Sequence, residues 1–399
     1  MILRFNVLKY AYLIGLFLLP FVFWPQAKIA YEIPKVWFFE RWVELLAIIA
    51  VLNIPFLVKK EMDRKLIFGF FLFLILAVLS SLLGSNFLKS LFGNYYRLDG
   101  LITLFHLVLL LIVTSVYWTD KWQFSLATVI SASSSILSAY TVYLGFRYYF
   151  FSDQLAAPFG RAIGATFGQP NFLAGFLLIV LPFLEFKRKT SRYKLLWLCA
   201  EILQMIAIIL TLSRAGILGI CLWIGIMIVI QNWKKTHIKK LLLFLFVIFC
   251  FSLVFYLKAF PLKYSNLYPE SRTRVLVHGL LAVVKRPFFG WGWANFDYAF
   301  SAVSWPYKFQ NDIYYDKAHS NLLEVLTTTG IFGLACYIFL IMRIFQNLFK
   351  KIVKSSDLFS EMLMIIFLLF IIHSQTNVLS INEELFFWLI GGIAVQRRG

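Results

Sequence analysis

The feature that most constrains this chain is a succession of apolar runs, each roughly the 20 residues an α-helix needs to cross a hydrocarbon core of about 30 Å. They fall near 8–25, 36–57, 66–84, 98–118, 122–146, 170–186, 193–212, 214–231, 241–260, 331–349, 360–379 and 384–396. Taken as spans they number about twelve, since only helices or closed barrels satisfy their backbone in lipid. The expectation is an all-α, polytopic integral membrane protein, with residues 1–399 as a single membrane domain. With 61% apolar and 14% charged residues and a mean hydropathy of +0.80, no stretch resembles a soluble domain.

The 38 Lys and Arg outnumber the 19 Asp and Glu, but they lie in short clusters between apolar runs rather than along one face. That pattern marks topology and not nucleic-acid binding. Lys59-Lys60, Lys187-Arg188-Lys189, Lys234-Lys235, Lys350-Lys351 and Arg397-Arg398 fall in every second connection, which predicts cytoplasmic termini. The opposite connections are then external. They hold the unusual residues: the segments around Arg97 and 147–171, the turn Ser213-Arg214, a large loop 261–320 between the ninth and tenth runs, and 374–383. Within the large loop, Val275–Val284 reads as a short surface helix with His278 unexplained. The four cysteines lie inside apolar runs without a Cys-x-x-Cys pair and read as small core residues.

Chemistry concentrates at Ala318–Gly333. Asn321 followed by Glu324 is a capping-box signal, so a helix begins there with His319 just outside its first turn. Free N–H groups at such an end attract anions and favour a neutral imidazole, a suitable general base. Asn321 to Thr329 rises only about 13 Å as a helix, too little to span. Gly330 and Gly333 predict a break or a close helix contact, with a re-entrant or interfacial helix leading into a span from Ile331.

Other candidates share that side. Arg214, with almost no loop around it, either snorkels or binds an anion. Arg272 and Arg274 meet lipid phosphates or a diphosphate, which guanidinium forks suit. Arg97 is a ligand or an interfacial anchor. Asn171 caps a helix or binds a sugar hydroxyl, capping being the simpler reading. His106 and His373 lie in spans as packed residues, and Asp312 and Asp316 are expected to be solvated. No phosphate loop, nucleophile elbow, zinc helix or dinucleotide fold is present, so no metal or cofactor is called for.

Several of these pieces carry a resemblance. His319-Ser320 followed after nine residues by Gly330-x-x-Gly333, the turn Ser213-Arg214-Ala215-Gly216, Phe167–Gly175, and Pro287-x-x-Gly290-x-Gly292-x-x-x-Phe296 together resemble the O-antigen ligase and polymerase superfamily. The resemblance runs from about residue 90 onward and implies a GT-C-type glycosyltransferase of the bacterial plasma membrane. Such an enzyme moves a glycan from undecaprenyl diphosphate to an acceptor hydroxyl with inversion and without a metal. It implies His319 as base, Arg214 and Arg274 at the leaving diphosphate, and Arg272, Arg97, Asn171, Ser320 and Asn321 in substrate binding. The acceptor stays open among glycolipid, glycan and protein, so a polymerase or protein O-oligosaccharyltransferase is an alternative. A lipid-linked glycan transporter is a further one, but it calls for charged residues lining the spans, for which Glu40, Arg41, Glu44, Glu185 and Glu201 are the few candidates, and for a repeat, which the sequence does not show.

Overall fold

The computed structural model describes residues 2–54, 61–158, 160–231, 272–304, 314–355 and 357–396. Within them, helices fall on every expected span. They are α1 (Ile2–Leu18), α2 (Glu32–Leu52), α3 (Arg64–Leu82), the short α4 (Phe87–Phe92), α5 (Leu101–Tyr117), α6 (Gln123–Phe151), α7 (Pro170–Thr190), α8 (Lys194–Leu210) and α9 (Arg214–Gln231). After these come α10 (Arg272–Lys285), α11 (Phe296–Ser301), α12 (Asn321–Ser355), α13 (Leu358–His373) and α14 (Ile381–Val395). The expected span at 241–260, the basic cluster at 234–240, Cys250 and Asp312 lie outside the described residues. Among the described residues, Arg64–Leu82, Asp120–Phe151, Pro170–Thr190 and Asn321–Lys354 are long and apolar enough to cross a membrane.

Local chemistry sets the helix ends. Asp63 accepts from the N–H groups of Lys65 and Leu66 to cap α3, and Asp357 caps α13 through Phe359. Ser380 and Glu383 form a full capping box on α14. Pro170 occupies the first turn of α7, where its missing N–H is harmless. Pro182 lies inside that helix, which continues to Thr190 rather than ending early.

α7 and α14 are buried on nearly every face, from Phe172 to Phe186 and from Leu385 to Val395, and form the interior of the bundle. α8 leaves Leu195, Leu196, Ile206 and Ile209 on the outside, as a lipid-facing helix does. Cys336 is core, bonding to the Gly69 carbonyl, whereas Cys199 and Cys221 are exposed on α8 and α9. That departs from the expected core role. In a chain of this hydropathy the outer face is as apolar as the inner, so composition could not separate them.

α1 reaches the start of α14 with Leu16 and Leu19 near Leu385 and Phe386, so α1 starts and α14 finishes at the same end of the bundle. There Asp63 takes hydrogen bonds from Arg343 (2.7 Å) and Asn347 (2.9 Å), and its own N–H donates to Val395 (2.8 Å). Gln396 bonds to the carbonyls of Ser115 and Trp118. The residues expected to carry chemistry lie at the other end.

Candidate active site

The break at Gly330 organises that end. Its φ of 70° and ψ of −169° interrupt α12, and a Cβ there would stand 2.2 Å from the Phe288 carbonyl oxygen. The break frees the carbonyls of Thr327 and Thr328, which accept from Trp291 N–H (3.0 Å) and Gly292 N–H (2.9 Å), while Ile331 N–H donates to Pro287 (2.8 Å). Two motif pieces about 40 residues apart in sequence thus zip together backbone to backbone. Gly290, at φ 68°, would meet the Thr327 carbonyl at 2.6 Å if it carried a Cβ. The end of α3 completes this floor, with Ser80 bonding to the Thr328 carbonyl and Ser81 accepting from Trp293 N–H. Gly330 therefore both breaks the helix and allows close contact, joining the two sequence expectations.

His319 enters the first half of α12 with φ 54°, a left-handed conformation uncommon for a side-chain-bearing residue. The capping differs from expectation. Asn321 is the first helical residue, and its amide meets the Tyr337 hydroxyl. Glu324 turns back to accept Ala318 N–H at 2.7 Å. The helix end is instead satisfied by the turn after α13: Asn321 N–H donates to Ser374 (2.9 Å) and Leu322 N–H to Gln375 Oε1 (3.2 Å). Ser320 Oγ donates to the same Gln375 oxygen at 3.0 Å. Two of the free donors expected to draw an anion are thus already taken, because a neighbouring turn supplies a better-placed acceptor.

The segment before His319 is held by five crossed charges. Arg97 pairs with Asp316 at 2.5 Å, and Lys317 with Asp99 at 2.5 Å and Glu324 at 3.3 Å. Asp316 is paired rather than solvated. Burial opposes charge on Asp99, but Lys317 and the Asn94 N–H outweigh it and hold the carboxyl below its usual range. Burial likewise opposes charge on Lys317, yet Asp99 and Glu324 push its pKa up. Trp293 Nε1 donates to the Asp99 carbonyl at 3.0 Å, joining this lock to the floor. The Arg97 guanidinium also lies 5.4 Å from the centre of the Phe172 ring, next to Asn171. Asn171 sits inside the first turn of α7 and does not cap it; Gln169 holds the cap position, without a side-chain bond.

Among the expected arginines, Arg214 opens α9 and is exposed. Ser213 Oγ accepts Gly216 N–H, and Gly216 packs where a Cβ would come 2.9 Å from Ala174. Arg272 is also exposed, and its Nη1 donates to the Thr376 carbonyl at 3.0 Å. Burial lowers its pKa first and the positive charge of Arg214 second. Arg274 is turned inward, 3% exposed, over the Phe300 ring. His278 stacks on that same ring at 4.4 Å and bonds to its carbonyl, which gives it a packing role. α10 therefore packs on α11 through His278 and on α12 through Gly279, against Leu323, rather than lying free on a surface.

Beneath the site, His373 and Glu383 form a buried pair at 3.1 Å, and Gly175 makes room for it. The residues sequence reasoning missed are Asp99, Lys317, Trp293 and the turn Ser374-Gln375-Thr376. Asp99 and Lys317 had a faint signal in the complementary order of Arg97-x-Asp99 and Asp316-Lys317. Gln375 had none.

Residues 195–338 match the O-Antigen ligase family. That region takes in Arg214, Arg272, Arg274, the 287–292 loop, His319 and the Gly330 break, so it bears out the resemblance carried by those motifs. Arg97, Asn171 and Gln375 lie outside the matched region. No curated protein matches the chain. That match, on a chain with several helices long and apolar enough to cross a membrane, supports a multi-pass membrane protein with a glycosyltransferase-like function.

Proposed function

We propose that the protein is an O-antigen ligase-like, GT-C-type glycosyltransferase at the outer face of the bacterial plasma membrane. It takes a glycan from undecaprenyl diphosphate and joins it to an acceptor hydroxyl. His319 removes the hydroxyl proton as the acceptor oxygen attacks the anomeric carbon from the face opposite the diphosphate. The carbon–oxygen bond to phosphate breaks, its electron pair stays on the phosphate oxygen, and the anomeric centre inverts. Arg214 and Arg272 receive that charge through paired, charge-assisted hydrogen bonds. A diphosphate so neutralised leaves without acid or metal assistance.

The observation that carries this reading is the turn Ser374-Gln375-Thr376. Its first two residues hold the helix end beside His319 and its third holds Arg272, which in turn feels the charge of Arg214. The helix end next to the base and one anion-binding group are thereby held by three consecutive residues, with the charge of Arg214 acting on the latter. The same geometry favours Arg272 over Arg274 for the diphosphate, since Arg274 is committed to Phe300. Arg97, Ser320 and Asn321 act by positioning His319, while Asn171 lines the approach to it. The external position of the site and cytoplasmic termini complete the proposal.

The test is glycan transfer by the purified, detergent-solubilised chain from undecaprenyl-diphosphate glycan to candidate acceptors, with and without chelator. Wild-type transfer that survives chelation and disappears in both His319→Ala and Arg214→Ala supports the mechanism. Full turnover in His319→Ala removes the proposed base, and loss on chelation removes the metal-free step.

A further inference from the structure

The site end carries a second concentration of side chains that the transfer mechanism does not use. Tyr95 and Tyr96 from the loop after α4, Tyr298 from α11 and Tyr314 from the segment leading to His319 are 61%, 42%, 38% and 52% exposed. The Tyr95 and Tyr96 ring centres lie 3.8 Å apart. Lys89 sits among the others, 5.3 Å from the Tyr298 ring and 5.7 Å from the Tyr314 ring, and pairs with Asp297 at 2.5 Å. The Tyr314 hydroxyl accepts from Asn94 (2.8 Å) and Lys89 (3.2 Å) and donates to Asp297 (3.2 Å). The Tyr298 hydroxyl accepts from Asn86 at 2.9 Å.

This arrangement differs from an interfacial aromatic belt, in which tyrosine keeps its ring among the lipids and turns its hydroxyl to water. Tyr298 and Tyr314 use their hydroxyls on the protein, so the exposed surface is ring carbon held in a fixed orientation. Rigid aromatic faces give contact area at low entropic cost, and their negative π-surface attracts the polarised C–H bonds on one side of a sugar ring. Around them, the Lys89–Asp297 pair and Asn86 offer donors and acceptors with little net charge. That composition suits neutral hydroxyls, in contrast to the two arginines placed for a diphosphate.

We propose that this tyrosine patch is the acceptor subsite and that the acceptor is a glycan, whose sugar rings stack on Tyr95, Tyr96, Tyr298 and Tyr314. The inference rests on the transferase reading and narrows it by excluding a protein acceptor. His319 lies five positions after Tyr314, at most about 18 Å of extended chain. A few linked sugars cover that distance and bring a terminal hydroxyl to the base.

The experiment uses the full chain in nanodiscs as wild type, as the double variant Tyr95→Ala with Tyr96→Ala, and as the control Tyr95→Phe with Tyr96→Phe. Transfer kinetics are measured against acceptor and donor separately. Binding of delipidated envelope oligosaccharides from the host is followed independently by saturation-transfer NMR. The expected result for the alanine pair is an acceptor KM raised about tenfold, equivalent to ~1.4 kcal/mol, with donor KM and kcat unchanged and the NMR signal lost. The phenylalanine pair keeps both. An unchanged acceptor KM and NMR signal in the alanine pair overturns the proposal, as does transfer to peptides in preference to oligosaccharides. Oligosaccharide binding that is present in the wild type and lost in the alanine pair, without transfer to any acceptor, upholds glycan binding at the patch but removes the transferase reading and with it the acceptor role. No oligosaccharide binding by the wild type overturns the subsite whatever the transfer assay shows.

Discussion

Replacing Asp99 by Asn tests whether the crossed charges hold the segment that delivers His319. The carboxylate stands 2.5 Å from Lys317, with the two side chains only 17% and 16% exposed. Removing one partner of a buried pair costs about 3–5 kcal/mol when the other charge is left alone. Lys317 keeps Glu324 at 3.3 Å, so the expected loss is smaller, about 2 kcal/mol. Because Asp99 touches the segment and not the bundle core, the loss falls on local opening of residues 314–322 rather than on global unfolding. An opening equilibrium shifted by 2 kcal/mol is a change of roughly 30-fold. Hydrogen exchange followed by mass spectrometry reads it directly, in peptides covering Ala318 and Leu322 N–H. Transfer activity is expected to fall in parallel. The sign with pH follows from the depressed Asp99 pKa. Its contribution is complete above the ordinary carboxylate range and is lost as pH falls below about 4, so Asn at this position lowers protection at neutral pH and removes its dependence on acid. Unchanged protection together with lost activity would refute the argument and give Asp99 a direct contact with substrate.

Gly330→Ala should be among the most damaging single changes, since the new methyl meets backbone at 2.2 Å in a left-handed conformation; a fall in thermal stability equivalent to more than about 2 kcal/mol is expected in detergent melts. Gly175→Ala places a Cβ 1.8 Å from Glu383 Oε1 and 2.3 Å from His373 Nε2, so it should push that buried pair apart at an overpacking cost of about 1–3 kcal/mol, read as a lowered midpoint of unfolding. Arg272→Lys should raise the donor KM by about tenfold through loss of the paired fork, whereas Arg274→Lys should lower stability and leave donor KM near wild type; the reverse pattern would return the diphosphate to Arg274.

Much of the architecture was legible before any coordinates. Runs of about 20 apolar residues predict helices because lipid offers the backbone no partner, and the helices fall on those runs. The break at Gly330 was legible because a glycine in an apolar helix points to a kink or a close contact, and here it serves both. His319, Arg214 and the glycine loop stood out because polar residues at the edges of such runs are few. Asp63 was invisible as an anchor, although it ties α3 to α12 and α14. Nothing local distinguishes a capping aspartate from one that also receives an arginine 280 residues away.

Hydropathy and backbone geometry act over a few turns, so the class of protein, its helices and a short set of candidate residues could be read from residue order. The pairing of distant residues could not. Arg97 meets Asp316 across 219 positions, Gln375 reaches Ser320 across 55, and Arg272 reaches the Thr376 carbonyl across 104. Helices that are apolar on all sides carry no periodic mark of which face turns inward, so their packing, and with it every long-range polar contact, is set by the fit of the whole bundle.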